Sequence, residues 1–133
     1  MEVPKGFVPF EEQGPFLEHV GPVYVQEGSD PPVLGLRAAD RHNNHRGTIQ
    51  GGLLSTFADF ALGRAIEADA EDGRDRATVS LTVDFLKPAK AGDWIESRSR
   101  VERVGGTLAF ADCSLTVEER EIVRARAVWV VVA

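Results

Sequence analysis

The sequence predicts an α+β domain in which an antiparallel six-stranded sheet curves around one long central helix. Two observations predict it. From Gly51 to about Ala70 the apolar positions recur at the helical period, and the polar, glycine-containing loop EDGRDR ends the run, so one long helix sits in mid-chain. Four stretches that alternate or are rich in β-branched residues follow, at about 77–87, 93–104, 107–117 and 122–132. They are broken by Lys87-Pro88, Gly105-Gly106 and the acidic EERE segment, and adjacent strands joined by such short turns are expected to pair as antiparallel hairpins.

Ahead of the helix, glycine and proline punctuate the chain into a short helical turn near Phe16–Val20 and extended segments at about 22–27 and 32–38. These two segments bring the strands to six. A sheet of that size buries one face on the helix. With 133 residues and 43% hydrophobic content, a single domain over residues 1–133 with one sizeable core is expected. The closing run VWVVVA is far shorter than the ~20 residues that cross a bilayer, and it reads as a buried strand.

Charge and cysteine content narrow the setting. A formal net charge of -6 repels nucleic acid and anionic membranes, so neither is expected as a partner, and a phosphate-bearing ligand has to meet a local basic patch. The single cysteine, Cys113, excludes an internal disulfide. Met1 leads into EVPKGFVPFEEQG rather than a basic segment followed by an apolar run. A reducing, cytoplasmic location is expected.

Within the helix, Asp59 stands among Leu53, Leu54, Phe57, Phe60, Leu62 and Ile66. At 100° per residue, Gly52, Ser55, Thr56 and Gly63 fall within about 60° of it, whereas Leu53, Phe57, Phe60 and Ala61 lie toward the opposite side. The acid occupies a small-residue face that another backbone or a ligand can approach, and the bulky face is expected against the sheet. Arg64 points toward that bulky side without an evident reason. Two readings of Asp59 stand at this point: a structural acid paired with a neighbouring arginine or hydroxyl, or a carboxylate retained for chemistry.

Gly51 and Gly52 open the helix, where unsatisfied N–H groups and the positive end of the macrodipole face outward. An oxygen acquiring negative charge is stabilised there, and glycine lets a carbonyl reach the amides, as an oxyanion site requires. The glycines alone also suit an ordinary tight turn into a helix. Asp59 lies eight residues beyond Gly51, or ~12 Å at 1.5 Å per residue. One helix cannot bring both groups to one carbonyl. A second, antiparallel copy closes the gap and creates two equivalent sites about a two-fold axis.

The segment Asn44-His45-Arg46-Gly47-Thr48-Ile49-Gln50-Gly51-Gly52, followed by Asp59, resembles the signature of hotdog-fold acyl-CoA thioesterases of the phenylacetate-degradation (PaaI-like) and 4-hydroxybenzoyl-CoA thioesterase group. Val79–Pro88 and Gly105-Gly106-Thr107-Leu108-Ala109-Phe110 resemble that family's next strands, so the likeness spans roughly residues 20–133. It implies a homodimer, pairing further into a homotetramer, that hydrolyses an acyl- or aryl-acyl-CoA to the free acid and coenzyme A. No separate cofactor is implied, because coenzyme A is part of the substrate.

Position by position, the resemblance implies that the Gly51 amide polarises the thioester carbonyl, that Asn44 helps to place the carbonyl or the nucleophile, and that Asp59 of the partner subunit acts as base or nucleophile. Thr78 matches a hydroxyl that positions water in some members. Phe85, Arg103, Gly105 and Gly106 match coenzyme A contacts, with Lys87, Lys90 and Arg46 as further cations for its phosphates. The chain departs from many PaaI-like members at Gln50, where they carry histidine. An amide can still donate a hydrogen bond, but it supplies no imidazole chemistry.

Other constellations are weaker. His42 and His45, three apart in a loop, lack an evident third metal ligand, and no metal is expected. Cys113 reads as an inert buried thiol, and Ser55 lacks the strained elbow of an esterase serine. Besides the thioesterase, two further classes remain: a hotdog hydratase or dehydratase using Asp40 and His45, and a non-catalytic acyl-CoA-binding protein.

Overall fold

The computed structural model describes residues 2–132. Its elements, in chain order, are β1 (Phe7–Pro9), α1 (Pro15–Val20), β2 (Tyr24–Gln26), β3 (Leu34–Arg37), a 3-10 turn (Asp40–His42), α2 (Gly51–Ala70), β4 (Arg76–Phe85), β5 (Trp94–Val104), β6 (Leu108–Val117) and β7 (Arg120–Val131). The strands form one antiparallel sheet in the order β1-β2-β3-β5-β6-β7-β4. All six strands read from the sequence are present, and β1 adds a short seventh. This is the hotdog fold: a sheet curled around one long helix.

α2 has 20 residues, so it is ~30 Å long. It stops where Glu71 takes a left-handed conformation, φ 48, with its N–H returning 3.1 Å to the Glu67 carbonyl. Leu54, Phe57, Ala58, Ala61, Leu62, Ala65 and Ile66 are buried along its sheet-facing side. Opposite them, Ala109 and Ala111 of β6 and Ala125 and Ala127 of β7 are also buried, and such small side chains let helix and sheet approach closely. Phe57 and Ala61 therefore face the sheet as expected. Leu53 and Phe60 do not: they lie half-buried on the flank, where Phe10 meets Phe60 edge-on at 5.4 Å. That flank also accounts for Arg64, whose guanidinium lies 5.1 Å from the Phe60 ring centre and pairs with Glu67 at 3.2 Å.

The β6–β7 turn is tighter than the EERE segment suggests. Val117 pairs with Arg120, which leaves only Glu118 and Glu119 in the loop, at φ 50 and φ 66. Two residues at positive φ match the strand twist of a tight hairpin, so Arg120 and Glu121 join β7. The expected hairpin across Lys87-Pro88 does not form: β5 has β3 and β6 on its two sides, so β4 pairs only with β7 and forms one edge of the sheet.

Candidate active site

Local chemistry shapes the loop that enters α2. Asn44 Oδ1 accepts from the Arg46 N–H at 2.8 Å and the Thr48 N–H at 3.2 Å, while its Nδ2 donates to Thr48 Oγ1 at 3.0 Å. The Asn44 N–H closes the same turn on the Thr48 carbonyl at 2.7 Å, and Gly47, φ 83, takes the left-handed position. Asn44 thus holds the loop with most of its amide and keeps one N–H to spare. Ile49 and Gln50 then donate to the carbonyls of Ala89 and His42, at 2.9 and 2.8 Å. The backbone is fixed immediately before Gly51.

Gly51 and Gly52 are the first two residues of α2, and among the described residues nothing accepts from their N–H groups. The Phe85 ring lies over Gly51, so close that a Cβ there would stand 3.2 Å from Phe85 Cζ. Amide and ring open into a cleft of about 360 Å³ whose lining includes Asn44, Arg46 and Lys87. Lys90 sits farther on, in the turn before β5, with its N–H on Asp93 Oδ2 at 2.9 Å. Gln50 is exposed, and its side chain caps nothing, so its amide faces outward beside the glycines.

Asp59 is half-buried, and its Oδ1 accepts a 2.7 Å hydrogen bond from Thr78 Oγ1. A β-bulge makes that contact possible. Thr78 stands opposite Trp129 and Ser80 opposite Val128, so Val79 is an extra residue in β4. Without it, Thr78 would share the outer face with Ser80, Thr82 and Asp84; the bulge returns it to the inner face with Leu81, Val83 and Phe85. Burial pushes the Asp59 carboxyl above its ordinary range, and the Thr78 hydroxyl partly offsets this by bonding the ionised form.

Arg103, Gly105 and Gly106 occupy the β5–β6 end of the sheet that Thr78 also occupies. Trp129 pairs with both Thr78 and Ala109, and Arg74 Nη1 donates to the Gly106 carbonyl at 3.2 Å. Phe85 pairs with Val123, seven residues along β7 from Val130, the partner of Leu108. That places Phe85 ~23 Å from the Gly105-Gly106 turn. One chain therefore carries the predicted residues as two groups: Asn44, Gln50, Gly51 and Phe85 at one end, and Asp59 and Thr78 toward the other, where Arg103, Gly105 and Gly106 lie.

The remaining candidates resolve as structural or solvated. His42 is buried with both ring nitrogens engaged: Nδ1 accepts from the Ala39 N–H at 3.0 Å, and Nε2 bonds the Val20 carbonyl at 2.6 Å. Burial lowers its pKa, which favours the neutral ring. Asp40 and His45 are exposed and form no hydrogen bond with each other among the described residues. Burial raises the Cys113 thiol to about 12, so it stays protonated and unreactive near neutrality. A larger hollow on the outer sheet face contains Arg100, Arg124 and Arg126, but each pairs with a carboxylate, Asp112, Glu121 and Glu102 respectively. Two features escaped sequence reasoning: the bulge at Val79, and the role of Arg41 and His42 in gripping the end of α1. Neither has a local pattern to betray it.

Free amides at the start of α2 can stabilise an oxygen that gains negative charge, and the likeness to known proteins gives the class as thioester hydrolase. Residues 46–123 match the thioesterase superfamily, and the chain belongs to that family. A candidate esterase of Pseudomonas aeruginosa is 40% identical over 97% of this chain and 97% of its own length. Acyl-coenzyme A thioesterase 13 of Mus musculus is 32% identical over 69% of this chain and 65% of its own. The fold matches the Escherichia coli PaaI protein from the phenylacetic acid degradation operon with a TM-score of 0.81, at 18% identity over 91% of this chain and 87% of that one. Among the described residues no helix is long and apolar enough to cross a membrane.

Proposed function

We propose that this chain hydrolyses acyl-CoA thioesters as a two-fold dimer whose sites each draw on both subunits. The observation that carries the reading is the division of the site into two groups along α2 and β4, with an oxyanion donor in one and an ionisable carboxylate in the other. β4 is a ten-residue edge strand, and Val79 and Phe85 on it are 58% and 54% exposed. An unpaired apolar edge of this length invites a second strand. Antiparallel pairing that lays Thr78 opposite the partner's Phe85 centres the two-fold axis on Thr82, because the bulge at Val79 leaves Thr78 and Phe85 six rows apart on the strand with Thr82 midway. Since Thr78 holds Asp59 and Phe85 covers Gly51, the same operation carries the acid of one subunit to the amide of the other. Pairing of such dimers into tetramers is compatible with this interface, which leaves the outer sheet face free.

In the proposed reaction the thioester oxygen accepts from the Gly51 N–H, and Gln50 and the spare Asn44 N–H donate beside it. Asp59 of the partner subunit either takes a proton from water, whose oxygen bonds the carbonyl carbon, or bonds that carbon itself to give an anhydride that water then cleaves. Both routes break the carbon–sulfur bond, release coenzyme A as its thiol and leave the free acid. Both need Asp59 ionised. Arg46 and Lys87 supply positive charge for the phosphates, and Arg103 with the Gly105-Gly106 turn of the partner subunit adds to that surface. Coenzyme A is the substrate's own carrier, so the reading calls for no cofactor. A cytoplasmic location, where acyl-CoA is at hand and Cys113 stays reduced, goes with it.

A panel of acyl-CoA esters, with thiol release and free acid measured together, tests this function. Stoichiometric release from at least one ester is expected, by a protein whose mass in solution is a dimer or a multiple of it. No release from any ester would defeat the reading. Thr78→Val gives a sharper expectation. It removes the bond that favours the ionised acid, so Asp59's pKa rises further, and activity, which disappears as pH falls through that pKa, is lost at higher pH than in wild type. The plateau kcat falls only several-fold, the scale of one hydrogen bond of about 1 kcal/mol. An acidic limb that does not move would show that Thr78 does not tune the acid.

A further inference from the structure

Two clefts converge on the start of α2 from different sides. The first, described above, holds Gly51, Phe85, Arg46 and Lys87. The second, of about 260 Å³, lies between α1 and α2 and is lined by Phe16, Val20, Gln50, Gly52 and Leu53 together with the 3-10 turn. A thioester whose oxygen rests on the Gly51 amide has two arms to place, one bearing phosphates and one not. The cationic cleft suits the phosphate-bearing arm. That leaves the second cleft for the other arm, and its chemistry fits.

Phe16 is 61% exposed, an aromatic ring left in solvent beside Val20 and Leu53. Of the polar side chains around it, Arg41, His42 and Thr56 are already committed, whereas Asn43 Oδ1 and the Gln50 amide have no partner among the described residues. Arg41 donates to the His19 carbonyl at 2.8 Å and to the Gly21 carbonyl, and His42 bonds the Val20 carbonyl at 2.6 Å. These bonds clamp the end of α1 to the turn before the active-site loop, so Phe16 sits on a fixed support rather than a loose segment. The volume is just below the ~300–1,000 Å³ of sites that enclose drug-sized ligands. It holds a fragment such as an acyl group, not a whole acyl-CoA.

Resting on the thioesterase reading, we infer that the cleft between α1 and α2 receives an apolar acyl group of short to medium length, and that Phe16 sets the chain length accepted. The test is kcat/KM for a series of straight-chain acyl-CoA esters from acetyl to dodecanoyl, for wild type, Phe16→Ala and Phe16→Trp, with assembly mass and melting temperature recorded for each. Phe16→Trp should lower the decanoyl-to-butyryl ratio by at least ~10-fold, and Phe16→Ala should raise it and move the optimum to longer chains, since each methylene in an apolar pocket is worth ~10–200-fold. A common factor across all esters, with or without altered assembly mass, would overturn the inference, because a ring that only packs on the partner subunit cannot sort chain lengths. So would unchanged ratios. Either result leaves hydrolysis standing, whereas failure of the wild type to release thiol from every ester would overturn the thioesterase reading itself.

Discussion

Asp59→Asn should lower kcat by at least ~10²-fold while leaving fold and assembly intact. The amide is nearly isosteric, and its oxygen can still accept from Thr78, so the contact that places the group survives. Basicity and nucleophilicity do not. Stability supplies the control, and its sign follows from the environment of the acid. Burial raises the Asp59 pKa in the folded chain above the ordinary 3.8, so the native state holds the proton more tightly than the unfolded chain does. The ionised acid is then a cost that sets in as pH rises from 3.8 through the folded value and is complete above it. The neutral amide avoids this cost, and Asp59→Asn should melt no lower than wild type at pH 7, with any advantage fading as pH falls toward 3.8. A variant that keeps most of its turnover would remove Asp59 from the chemistry. One that loses activity together with its melting transition would make Asp59 a structural acid.

Mixing two dead variants should restore activity. Gly51→Val places branched carbon where a Cβ alone would stand 3.2 Å from Phe85 Cζ, and it shields the N–H that the substrate oxygen needs, so its homodimers should be inactive. Asp59→Asn homodimers should be inactive for the reason above. In a mixed dimer of a shared-site enzyme, one site carries both lesions and the other carries neither. Random pairing makes half the dimers mixed, and half of their sites intact, so activity should return toward about a quarter of wild type. If each site drew both residues from one chain, every site would retain a lesion and nothing would return. Mixed dimers confirmed by mass but lacking turnover would defeat the shared site and the two-fold edge pairing built on it.

Much of the framework was legible because its signals are local. The helical period and the glycine pair located α2 at Gly51–Ala70, and β-branched runs broken by Lys87-Pro88 and Gly105-Gly106 located the four long strands. Short elements were less visible. β1 covers only Phe7–Pro9, too few residues to show a period, and exists because Phe7 and Val8 find Gln26 and Val25 across a turn of chain. The helix faces were read in part: the angular pattern separated small from bulky residues, but it could not foresee that Phe10 would cover Phe60 from the N-terminal segment or that Arg64 would lie on that ring.

The sequence by itself determined the fold class, the long helix, the family and the conflict of distance between Gly51 and Asp59. Each follows from chemistry written within a few residues or from a count along one helix. Tertiary structure decided the rest. The bulge at Val79 turned Thr78 inward onto Asp59, Phe85 was laid over Gly51, and Arg41 with His42 fastened α1 beside the helix start. In each case the partners lie 19 or more residues apart in the chain, and no local pattern encodes which of them meet. Burial did the same for Asp59: whether an acid in a helix is solvated or pushed toward its neutral form depends on what packs around it, and that is settled only when the sheet closes.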